Sequence, residues 1–436
     1  MKVLKFGSTA IDTSDKLNIV SDIISNNSKC IVIVSAIAGT TSLLEEISDY
    51  LYKKNPEGAN EAINALEKEY SLKIGQYYTN SEIKAEATAL LKSKVNYIRS
   101  FTKDLFTLFE EKIILAQGEI LSSGFLTLYL KQKGMNAQEI SALDFIRIDK
   151  KNEPNLPFIS DSLNKVLETT AKTDIYVTQG YICKNAYDEV DNFHFGGSDY
   201  TASLVGAAIH AEEIQIWTSF DALYGNNSQL IANTEAVHRL SFDEAAELAY
   251  FGTKILHPIC ILPAKMANIP VRLVNIYNAN AKGTLISNDT EAGKIKAIAA
   301  KDGITVINIK SSRMLLAHGF LRKVCEVFEK HLTSIDMLTT SEVGLSVTID
   351  NPKYLAEITD DLKKLGIVNI DKSMTIISAV GDLDWRNTGL EAKVLDAVRD
   401  IPVRMISFGG SSCNISFIVK EEDKERALTS LSNTIF

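Results

Sequence analysis

"IVSAIAGTTSLLEEI", residues 33–47, is a β-rich run that ends in a turn of small residues and continues as a helical pattern. "SDYTASLVGAAIHA", residues 198–211, also leaves a small-residue turn as a helix. Further short β-rich runs are "KVLKFG" (2–7), "CIVIVSA" (30–36), "DIYVTQGYI" (174–182), "EIQIWTS" (213–219) and "IPVRLVNI" (269–276). Strands alternating with helices over the first 290 or so residues predict an α/β domain with a mostly parallel central sheet and helices on its faces. Ligands in such sheets bind at the carboxyl ends of the strands, where helix N-termini point. Residues 58–134 read as mostly helical. Leu90, Leu91, Val95, Ile98, Phe101 and Leu105 keep a 3-to-4 spacing that predicts the buried stripe of one long helix.

The tail from about residue 300 has another rhythm. "GFLRKVCEVFEKHLTSIDMLTTSEVGLSVTID" (319–350) and "GLEAKVLDAVRDIPVRMISFGGSSCNISFIVK" (389–420) each read as loop, helix, strand, turn and strand. Two such units, about 70 residues apart, predict paired ferredoxin-like α+β modules. The expected domains are 1–290, 300–365 and 370–436, and the repeat also allows strands to be exchanged between the last two.

Composition narrows the function classes. A chain of 436 residues is too long for one core. Its formal net charge of −9, with no basic block, argues against nucleic acid as the main partner. No unbroken apolar run reaches the roughly 18 residues of a membrane span. "MKVLKFGS" opens a strand pattern at once, which reads as a chain without a signal peptide. The five cysteines stand singly, as expected of reduced thiols in a cytoplasm, and neither they nor the six histidines cluster as metal ligands.

"DNFHFGGSDYTAS" (191–203) has the form of an anion site, in which two glycines open a turn and Ser198, Asp199 and Thr201 follow. There is no Walker A motif and no G-x-G-x-x-G after a strand. Lys5, two residues before Gly7, is placed to reach phosphates held by that turn, and Lys254 in "YFGTKILHP" is a second candidate cation. Ser35, Thr41 and Glu119 lie near element ends and suit a small polar substrate. Glu119 falls within a helical apolar stretch and needs a partner if buried.

Taken together, these blocks resemble the aspartate kinase family of the amino-acid kinase superfamily along essentially the whole chain. "KFGSTA" looks like the family's KFGGTS, "VSAIAGTTS" like VSAMGGTTN, and "FGGSDYTAS" like GRGGSDYTA. "LAQGEILSS" and "LSFDEAAELAYFGTKILHP" resemble two further family stretches. "SIDMLTTSEVGLSVTID" and "VRMISFGGSSCNISFIV" resemble its two ACT regulatory repeats. The resemblance implies transfer of the γ-phosphate of Mg-ATP to the side-chain carboxylate of L-aspartate. It implies that Lys5 and Asp199 act in catalysis, and that Lys5, Gly7, Tyr224, Lys254 and the position of Ser219 serve the nucleotide. It assigns Ser35, Thr41, Glu119 and Ser198 to aspartate, with Glu119 receiving its ammonium. The metal would arrive with ATP rather than on protein ligands. It also implies a homodimer or higher oligomer through the ACT units, with lysine as effector. Met314, Phe320, Leu321, Ser334, Ile335, Asp336, Thr340, Ser341 and Glu342 would hold that lysine.

The chain departs from the family at several site positions. Phe195 replaces an arginine that grips a carboxylate, Ser219 an aspartate, Ala222 a glycine and Gln229 a phosphate-facing arginine. Ala317 replaces an effector-site serine, and Ser8 and Ala10 change the first glycine turn. A serine at position 8 costs about 1–2 kcal/mol if that position needs positive φ. Losing one buried charge partner costs about 2–5 kcal/mol, so three losses would nearly abolish the ordinary reaction unless Lys184 or His194 compensates. Three readings follow: an aspartate kinase with an altered site, a silent paralogue that senses lysine, and a kinase for a less charged carboxylate.

Overall fold

The computed structural model describes the chain except residues 104, 171–172, 194–195, 226–235, 252–256, 290, 292, 312–313 and 315–317. It divides into two compact units, Met1–Leu223 with Leu256–Asn288, and Tyr224–Ile255 with Asp289–Phe436.

In the first unit, seven strands lie side by side in the order Thr284–Ser287, Val271–Asn275, Ile214–Thr218, Lys2–Phe6, Cys30–Val34, Ile175–Gln179, Ala137–Glu139. Only the pairing of Val271–Asn275 with Thr284–Ser287 is antiparallel. All five residues of Cys30–Val34 are buried, as a central parallel strand requires. Thr40–Tyr52 is the helix that the opening stretch predicts.

The helical region starts at Pro56, which occupies the first turn of Pro56–Tyr77 behind an Asn55 cap. Ser81–Ser100 follows, and Leu91, Val95 and Ile98 on it are buried as expected. The predicted stripe then breaks. The helix ends at Ser100, and Leu105 lies in the connection to the next helix, 80% exposed. That next helix, Leu108–Gln132, begins with a capping box between Thr107 and Glu110. It is long and apolar enough to cross a bilayer, but it is mostly buried within its unit and packs as a core helix.

In the second unit six antiparallel strands run in the order Leu338–Thr340, Gly344–Ile349, Ile295–Lys310, Ile367–Gly381, Asn414–Lys420, Met405–Phe408. The two long strands change register near Lys301 and Ile304. Such irregularities bend a strand, so each long strand serves two cores. Ile307, Ile309, Phe320, Val324 and Leu345 belong to one core, and Ile298, Ile377, Val394 and Phe417 to the other. The repeat is plain: helices Phe320–Lys330 and Leu390–Ala397 each precede a pair of antiparallel strands. The helix Phe242–Phe251 packs against both long strands. It is pinned by the buried pair Lys296–Glu244 (2.8 Å) and by Asn414 Nδ2 donating to Glu247 Oε2 (2.6 Å).

Candidate active site

Parallel register sets the site. Phe6 pairs with Val34, and Val34 with Gln179, so the residues that follow them, Gly7, Ser35 and Gly180, leave the sheet level with one another. The helix Gly197–Ala208 begins at Gly196, whose φ is +72°. A methyl at Gly196 would stand 1.9 Å from Cys260 Sγ, so both the turn and the space demand glycine. Gly180 is needed for approach, because a Cβ there would meet that of Ser198 at 2.4 Å. The two hydroxyls thereby meet, with Ser35 Oγ 2.7 Å from Ser198 Oγ, across 163 residues of sequence.

One residue on, Asp199 Oδ1 lies 2.7 Å from Lys5 Nζ, and both side chains are largely shielded. The contact is an ion pair without hydrogen-bond alignment, since Asp199 Oδ1 has no such partner. Lys5 Nζ lies 3.8 Å from where a Cβ on Gly7 would be, so the ammonium curls back over the glycine turn. Ser8–Ala10 form one 3-10 turn, and Ser8 is not among the residues with positive φ. The strain expected of a serine there does not arise.

Glu119 sits mid-helix with only 6% exposure. Its Oε1 accepts from Ala36 N at 3.3 Å, and one turn on Ser122 Oγ accepts from Ile37 N at 2.9 Å. The core helix thus holds the loop after Val34. Burial pushes the Glu119 carboxyl up to about 8, and the Ala36 N–H offsets only part of that. Such a carboxyl is suited to an incoming ammonium, which would favour its charged form. Thr41 is exposed on the first turn of its helix, while its neighbour Thr40 is buried against Tyr70 Oη at 2.7 Å. Ser219 is exposed just past its strand. Tyr224 is half-buried at the start of the second unit. Lys254, Phe195, His194, Gln229 and Ala317 lie outside the described residues.

Lys184, one of the two residues expected to compensate, lies 3.2 Å from the exposed Asp188. Sequence reasoning missed Lys112, whose ammonium lies 2.6 Å from the buried Asp191. It also missed Ser122, Tyr70, Gly180 and Cys260, which shape the site without a charge signature. Among the described residues no group of His, Cys, Asp and Glu could hold a metal ion.

The residues expected to hold an effector lie in the second unit. Met314, Phe320 and Ile335 pack on one hydrophobic core. Leu321, Ser334, Thr340, Ser341 and Glu342 are exposed. The Asp336 side chain is only 1% exposed.

The Amino acid kinase family matches residues 1–275, and the ACT domain family matches residues 377–435. Aspartokinase 3, chloroplastic, of Arabidopsis thaliana is 31% identical over all of this chain and 81% of its own length. The chain belongs to the aspartokinase family. Aspartokinases are phosphotransferases, and this one has the amino-acid kinase fold followed by ACT domains. It is similar to Escherichia coli aspartokinase III in complex with aspartate and ADP (R-state), with a TM-score of 0.82 and 27% identity over all of both chains. The same E. coli protein in complex with lysine and aspartate (T-state) matches with a TM-score of 0.83 and 27% identity, over all of this chain and 99% of that one.

Proposed function

We propose that this aspartokinase phosphorylates the side-chain carboxylate of L-aspartate with ATP, the first step toward lysine, threonine and methionine, in the cytoplasm. Residues 1–290 form the kinase domain, and 300–365 and 370–436 the ACT domains. The observation that carries the reading is the Ser35–Ser198 contact, level with the Lys5–Asp199 pair and the Glu119-held loop at the carboxyl end of one sheet. Phosphoryl transfer between two anions is mostly positioning and charge neutralisation. Lys5 supplies positive charge at the Gly7 turn, and Asp199 holds that ammonium in place. N–H groups in the first turn of Gly197–Ala208 have no intrahelical acceptor, so they suit an anion. Ser35 and Ser198 orient the acceptor, and Glu119 takes its ammonium. By the family resemblance Thr41 serves the acceptor, and Tyr224 and Lys254 serve the nucleotide. Mg2+ comes with the nucleotide. Lysine acts as feedback effector at the ACT domains, which also make the dimer. The E. coli complexes with aspartate, ADP and lysine support the choice of these three ligands.

A second reading is a silent paralogue that senses lysine. It is favoured by the exposed Ser219 where the family has a carboxylate. A coupled ADP-release assay with a panel of amino-acid carboxylates separates the two. Aspartate-dependent ADP release supports the kinase. No release with any carboxylate, alongside saturable lysine binding, establishes the silent sensor.

A further inference from the structure

Asp336 is among the residues proposed to meet an effector, yet in this structure its carboxylate is already engaged. Oδ1 accepts from Tyr250 Oη at 2.6 Å and lies 3.1 Å from Lys301 Nζ. Lys301 also pairs with Asp350 Oδ2 at 2.9 Å and stands 4.4 Å from the centroid of the Tyr250 ring. Oδ2 of Asp336 is buried and has no partner among the described residues. The cluster therefore holds two carboxylates and one ammonium, and one buried lone-pair site is unanswered. The buried Asp336 thus shares its one ammonium with the exposed Asp350. With its side chain sealed, Asp336 meets a ligand from solvent only after Tyr250 or Lys301 gives way.

We propose that Tyr250 and Lys301 form an internal latch on Asp336 that sets the affinity of the effector site for ammonium-bearing ligands. The inference rests on the effector reading above and adds two residues to it. Lys301 is a tethered version of the ligand's own cation, held by the same carboxylate. Tyr250 belongs to Phe242–Phe251, the helix whose Glu244 and Glu247 also hold the strands of this unit. Glu244, Glu247 and Tyr250 are three residues apart and share one face of that helix. A ligand that captures Asp336 by displacing Tyr250 releases one of the three ties, so effector occupancy and the seating of this helix are linked.

The test is calorimetric titration of the full chain with free L-lysine, comparing the parent with Tyr250→Phe, Lys301→Met and Asp336→Asn. A hydrogen bond to a charged group that must break on binding weakens affinity about tenfold. Tyr250→Phe should therefore tighten lysine binding about tenfold, Lys301→Met should tighten it as well, and Asp336→Asn should weaken it. Structural damage loosens binding or leaves it unchanged, so tightening marks a latch, and thermal melts of each variant check the fold. If lysine binds the parent and Asp336→Asn weakens it, but neither other variant tightens it, the latch is wrong and the effector site stands. If neither the parent nor the two unlatched variants bind lysine, the effector reading fails and takes the latch with it. Binding by the unlatched variants alone supports both.

Discussion

The two units each bury a carboxylate beside a proposed ligand, and they treat it differently. Glu119 is answered by one backbone N–H, and burial pushes its carboxyl up to about 8. Asp336 is also raised by burial, but a tyrosine hydroxyl and a lysine ammonium already hold it. The same cost of desolvation is thus left for a ligand to relieve in one unit and is relieved in part by the chain itself in the other. A buried acid is open to a ligand at once when the protein has not supplied its own cation, and only after displacement when it has.

The largest test of this contrast is Glu119→Ala. Removing the partner of the substrate ammonium should lower kcat/KM for aspartate by about 30-fold to several thousand-fold in the ADP-release assay. An unchanged value would end the role assigned to Glu119. Lys296→Met probes the self-supplied kind of pairing, because it leaves Glu244 buried without its cation. It should cost about 3–5 kcal/mol of stability in denaturant melts. A negligible change would mean that the second unit does not depend on internal pairs.

Phe195→Arg asks whether the kinase unit lacks a charge as well as keeping one open. An added guanidinium should lower the aspartate KM about tenfold or more while kcat changes less, since it adds ground-state binding. A parent enzyme that already shows sub-millimolar KM would remove the premise.

A smaller effect is the pH slope carried by Glu119. A carboxyl raised in the fold keeps a proton that the unfolded chain loses between the ordinary carboxylate range and about 8. Stability therefore falls as pH rises across that window. Glu119→Gln should flatten this part of the stability–pH curve relative to the parent, and equal slopes would show that Glu119 is not neutral in the fold. Smallest of all, Arg399→Ala removes the surface pair with Asp396 and should leave the melting temperature where it was.

Strand, turn and helix followed one another legibly in the sequence because each is set by short-range periodicity, caps and turn residues. The stretch 33–47 and the repeat in the tail appear where local pattern puts them. Similarity of motifs carried the family and named Lys5, Ser35, Glu119, Ser198 and Asp199 as candidates. Local pattern failed where a contact overrode it or was missing. Leu105 kept the helical spacing but had no core to meet, and Ser8 entered a turn that asked nothing unusual of its backbone. Only the tertiary structure decided that Lys184 meets Asp188, that Gly180 must be bare for Ser198 to approach Ser35, and that Lys301 and Tyr250 converge on Asp336. The last two contacts join residues 35 and 86 positions apart. Their chemistry depends on distance in space, and no periodicity along the chain encodes which side chains a sheet register will bring face to face.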